Sequence, residues 1–88
     1  MARSHRTQQA RTFALLALLA AEGTPITDRA LRDHVRRGVG GTWTELDLGD
    51  VIRDLDLDQL ISGTASELRN DTVWMLTEKG EIHAKQLR

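Results

Sequence analysis

At 88 residues, with a formal net charge of −1 and no cysteine, the chain is sized for one small intracellular domain, without disulfide staples or a thiolate metal site. A chain of this length buries only about 60–65% of its unfolded surface, so it builds one modest core and gains from a partner subunit. Near-neutral charge and a pI of about 6.3 supply no overall field toward nucleic acid or membrane, so affinity for polyanions must come from local clustering.

Arg3, His5, Arg6 and Arg11 precede an apolar run from Phe13 to Ala21, which has the outline of a secretory signal peptide. A soluble helix over residues 5–22 is the better reading, because removing it would take away a core element that no cysteine could replace. The run is too short for a membrane span, which needs about 20 apolar residues. Residues 1–10 then read as a basic arm on a single domain covering 1–88. In the helix, Phe13, Leu16 and Ala20 share one face, while Leu15, Leu18 and Leu19 spread onto the others. A helix apolar nearly all round is buried on more than one side. One side serves the core and the other is expected to meet a second copy, which makes Phe13, Leu15, Leu18 and Leu19 the candidate dimer interface. Gly23 ends the helix.

A second helix is predicted over 28–37. Thr27 caps its free amides and Ile26 is placed to pack on Leu31 as a hydrophobic staple. Leu31 and Val35 face inward, whereas Arg29, Arg32, Arg36 and Arg37 point mostly outward with His34. Gly38, Gly40 and Gly41 make a loose turn, and Thr42-Trp43-Thr44 leads into a third helix over 45–55. Thr44 and Asp47 have the spacing of a capping box, with Asp where Glu or Gln is usual. Leu48, Val51, Ile52 and Leu55 keep helical spacing and form the buried face. The opposite face reads Asp47, Asp50, Arg53 and Asp54. Leu55-Asp56-Leu57-Asp58 also alternates, so the helix end is open between Asp54 and Asp58.

Catalytic and metal chemistry is thin. Asp54, Asp56 and Asp58 match the first three ligands of a calcium loop, but Gln59 stands at its glycine position and Ala65 at its bidentate glutamate position. His5, His34 and His83 have no ligand spacing. Ser4, Ser62 and Ser66 have no activating partner, and the Gly38–Gly41 turn lacks the lysine of a phosphate loop. Neither an enzyme activity, a metal nor a cofactor is expected. Trp74 is expected in the core by strand parity with Thr72 and Leu76; Trp43 reads equally as a lid on the core or as a contact residue.

Leu60 and Ile61 open a strand, Asn70 and Asp71 make a polar tip, Thr72 to Leu76 form a second strand, and Thr77-Glu78-Lys79-Gly80 closes it. This pattern resembles the wing of winged helix-turn-helix proteins, especially the MarR and PadR types. There a helix reading Leu-x-x-Leu leads into Gly-Leu-Ile; Ile52, Leu55, Leu60 and Ile61 keep that spacing, with Gln59 in the glycine position. The resemblance covers roughly residues 12–88. It implies a mainly α (α+β) winged helix of three helices, a two- or three-stranded wing and a short terminal helix from Thr77. It also implies a homodimeric cytoplasmic transcription regulator on a two-fold site in double-stranded DNA. Arg29, Arg32, Arg36, Arg37, Thr42, Trp43, Thr44, Arg53, the arm residues Arg3, Arg6 and Arg11, and Arg69 at the wing tip are its candidate DNA contacts. Carboxylates in the third helix suit a phosphate-lined groove poorly, so backbone contacts by arginine would carry the affinity. Two alternatives stay open: a protein-interaction module docking through Asp47, Asp50, Asp54 and the wing, or a solvated helix face with its arginines paired to Asp28 and Asp33.

Overall fold

Every helix among the described residues begins at a hydroxyl. In the computed structural model, which describes residues 4–65 and 71–87, Ser4 caps α1 (His5–Ala20), Thr27 caps α2 (Asp28–Gly38), Thr44 caps α3 (Glu45–Leu57) and Thr77 caps α4 (Glu78–Gln86). Each hydroxyl accepts a hydrogen bond from the backbone N–H three residues on, at Thr7, Ala30, Asp47 and Gly80. Such a cap stabilises a helix by about 1 kcal/mol and fixes where it starts. At Thr44 both halves of the capping box form, Asp47 serving where a longer side chain is usual.

Three strands, β1 (Ile26–Thr27), β2 (Ile61–Ala65) and β3 (Thr72–Leu76), form an antiparallel sheet in the order β1-β3-β2. Ile61 pairs with Leu76 and Ala65 with Thr72 along the hairpin, while Ile26 pairs with Trp74 on the other edge. The β1 strand is absent from the sequence reading because two residues are too few to display a period. The hairpin tip at Asn70 lies outside the described residues.

Helix α1 runs through the middle of the core and corrects the expected division of its faces. Ala10, Ala14, Leu15 and Leu18 are buried with Leu31 and Val35 of α2, Leu48, Val51, Ile52 and Leu55 of α3, Leu60, Ile61 and Ala84. Phe13 and Ala20 lie outward, and Leu16 and Leu19 are half-buried. Leu15 and Leu18 therefore have no free surface for a second copy. With nearly every position apolar the period could not choose a face; the alanines decide it, since their small side chains let neighbouring helices approach closely. The helix also stops at Ala20, two residues early, where Glu22 and Gly23 both turn left-handed (φ 51° and 85°) to redirect the chain toward β1. At its other end it already includes residues 5–10, so this part of the expected arm is helical.

Helix α3 continues to Leu57, which settles the open boundary: Leu55 to Leu57 belong to its last turn, not to an extended segment. Gln59 adopts the left-handed conformation (φ 62°) that glycine would favour, and the Leu60 N–H closes back onto the Leu55 carbonyl at 3.0 Å. The start of α4 holds this turn. Thr77 Oγ1 donates to the Gln59 carbonyl at 2.6 Å, its N–H donates to the Leu60 carbonyl at 3.1 Å, and Lys79 Nζ donates to the Asp58 carbonyl at 3.1 Å. Gly80 packs so tightly there that a Cβ would sit 1.8 Å from the Leu60 carbonyl oxygen. The Thr77-Glu78-Lys79-Gly80 segment is thus a seam that locks helix α4 onto the turn leaving α3.

Candidate nucleic-acid interface

Helices α2 and α3 are joined by residues 39–44, and the β2–β3 hairpin follows α3 in the chain. Arg32 and Arg36 of α2 are drawn toward the first turn of α3. Arg32 donates from Nε to Asp28 Oδ2 at 2.7 Å and from Nη1 to the Glu45 carbonyl at 3.0 Å and Glu45 Oε2 at 3.2 Å. Arg36 Nη2 reaches Glu45 Oε1 at 2.8 Å. Asp28 also accepts from the Trp74 indole N–H at 3.0 Å, tying strand β3 to α2. Trp74 is half-buried against the core, as its parity with Thr72 and Leu76 implies. Arg37 is paired with Asp33 one helical turn back, at 2.9 Å, and remains largely exposed. An open groove of about 660 Å³ lies along this edge, lined by Arg29, Arg32, Arg36, Glu45 and Asp71.

This is the α2–turn–α3 pair and hairpin of a winged helix, and solved structures share the arrangement. A point mutant of MepR from a multidrug-resistant S. aureus clinical isolate superposes with a TM-score of 0.76 at 15% identity, over 89% of this chain and 53% of that one. Two variants of Lactococcus lactis ZitR, each 17% identical, superpose with TM-scores of 0.70 and 0.68, over 98% and 88% of this chain and 53% and 47% of theirs. The domain has a MarR-like winged-helix fold. It spans about half the length of these solved structures. No protein-family model and no curated protein matches the sequence.

Helix α3 is the second helix of this pair, and Asp47, Asp50, Arg53 and Asp54 line one open groove along it. The Asp47 carboxylate is committed to the cap, accepting the Thr44 N–H at 3.1 Å. That backbone hydrogen bond, with a second from the Thr44 side chain, holds its pKa below the usual carboxylate value. Asp54 faces α1, where Arg11 bridges it at 2.6 Å and Asp58 at 2.8 Å. Asp50 alone of the three makes no hydrogen bond or ion pair among the described residues. Leu46, Asp50, Arg53 and Leu57 form an outward ridge, with both leucines 73% exposed.

Other candidates also move. Arg6 lies on α1, donates to the Thr42 carbonyl and stacks over the Trp43 ring, with the guanidinium carbon 3.8 Å from its centroid. Trp43 donates its indole N–H to the Val39 carbonyl at 2.8 Å and packs half-buried on the core, in the manner of a lid. Arg11 is only 12% exposed and belongs to the interior seam, not to a basic arm. Arg29 and Arg53 are exposed, without ion pairs among the described residues. Arg3 and Arg69 lie outside the described residues. Glu45, at the centre of the arginine cluster, was missed by sequence reasoning. Its available signal was its place directly after the Thr44 cap, where the first turn of α3 meets the last turns of α2. Among the described residues no group of three metal-ligating side chains converges, and no helix is long and apolar enough to cross a membrane.

Proposed function

We propose that the chain is a cytoplasmic DNA-binding transcription regulator of winged-helix type, acting as a homodimer, by binding rather than catalysis. It holds duplex DNA mainly through backbone contacts. The observation that carries this reading is the juxtaposition of the basic end of α2 with the first turn of α3 in a MarR-like frame, beside Arg37 and Arg53 exposed to solvent. A helix-turn-helix brings this edge to the phosphates flanking a major groove. The protein-docking reading loses support, because Asp47 and Asp54 are engaged within the chain. For the second copy, the corrected surface is the groove lined by Leu16, Leu19 and Ala20 of α1 with Glu81 and Lys85 of α4.

Titrating labelled duplexes with the purified chain across a salt series tests the DNA reading. Each arginine on a phosphate contributes close to one unit of log–log salt slope, so Arg37→Ala with Arg53→Ala should lower the slope by about two and weaken all sequences alike. Salt-independent or undetectable binding would rule the reading out. Light scattering reads the second copy: a dimer in the wild type, and a monomer for Leu16→Glu. An unchanged mass in that variant rejects the groove as the interface.

A further inference from the structure

We propose that Glu45 is a positioning residue that stands in for a DNA phosphate, holding Arg32 and Arg36 in its absence and so setting how strongly the domain grips DNA. This rests on the DNA-binding reading above. Arg32 and Arg36 are four residues apart on one face of α2 and both reach a single carboxylate: Oε1 takes Arg36 Nη2 at 2.8 Å and Oε2 takes Arg32 Nη1 at 3.2 Å. Two like charges at that spacing repel unless an anion lies between them. A phosphodiester presents paired oxygens to guanidinium groups much as a carboxylate does, so the two anions compete for the same N–H groups.

Burial separates this clamp from a purely structural bridge. Arg32 is 26% exposed and has Asp28 on its Nε and the Glu45 carbonyl on its Nη1, so it keeps its position without the Glu45 carboxylate. Arg36 is 45% exposed and has the Glu45 carboxylate as its partner, itself 73% exposed. Removing the carboxylate therefore frees Arg36 and leaves Arg32 in place. Because Glu45 opens the helix that approaches the groove, its charge acts twice in the same direction, masking a cation and repelling the incoming backbone.

The test uses the full chain and a short random-sequence DNA duplex, titrated between about 50 and 200 mM salt, for wild type, Glu45→Gln, Arg36→Ala and the double variant. Glu45→Gln should tighten binding about fivefold or more at the low-salt end and steepen the log–log slope by about one as Arg36 meets a phosphate. Arg36→Ala should change little in the wild type yet cancel the one-unit steepening of the slope in the Glu45→Gln background, a non-additivity that a bridge serving only stability would not produce. Unchanged affinity and slope in Glu45→Gln would overturn the proposal. Should that variant fail to fold, Arg36→Ala decides alone: a full unit of slope lost while Glu45 is present means Arg36 was never masked. If the wild type shows no salt-dependent binding, the DNA reading fails and this inference falls with it.

Discussion

Two arginine–carboxylate clusters flank helix α3, and they differ in burial rather than in chemistry. On the α1 side, Arg11 is 12% exposed and forks onto Asp54 and Asp58, joining the first helix to the last turns of the third. On the α2 side, Arg36 and Glu45 form the same kind of pair near 2.8 Å in open solvent. Desolvation of the guanidinium makes the first hard to break, because loss of the carboxylates leaves the Arg11 charge with little water to receive it. High dielectric and side-chain freedom make the second worth well under 1 kcal/mol and easy to exchange for another anion. One side of α3 is thus fixed in the fold, and the other is exposed to solvent.

The largest expected effect lies on the fixed side. Gly80→Ala drives a Cβ into the Leu60 carbonyl, and neither backbone can retreat without opening the α4 seam; denaturant melts should show a loss of at least about 3 kcal/mol or no folded protein. Next, Arg11→Ala should cost about 2 kcal/mol while leaving the salt slope of DNA binding unchanged. A slope change there would show that the two clusters are not separate in role. Gln59→Gly should raise stability by about 1 kcal/mol by relieving the left-handed strain at the end of α3, seen as a melting point higher by about 4–8 °C.

The smallest effect sharpens the comparison through pH. The Asp47 carboxylate is held below its usual pKa by the Thr44 hydrogen bonds, so its contribution is fully present above the usual carboxylate value and fades as acid protonates it in the folded state. Asp47→Asn should therefore lower the melting point at pH 7 and leave a smaller difference from wild type near pH 3. An equal difference at both values would mean that the carboxylate charge is not what closes the cap.

The hydroxyl caps at Thr27 and Thr44, the buried face of Leu48, Val51, Ile52 and Leu55, and the strand from Thr72 to Leu76 were all legible in the sequence. Each depends on neighbours within one or two turns, and local spacing records such neighbours. What escaped was decided by residues far apart in the chain. No periodicity could say that Ala10 and Ala14, rather than Phe13 and Ala20, would face inward, because close approach between helices chose the small side chains. Nor could it say that Arg11 would cross to Asp54 and Asp58, or that Glu45 would gather Arg32 and Arg36. Charge pairing across elements follows where folding places the helices, so the sequence by itself determined a winged helix with basic and acidic faces. Only tertiary packing decided which of those charges are bound inside the domain and which remain for a partner.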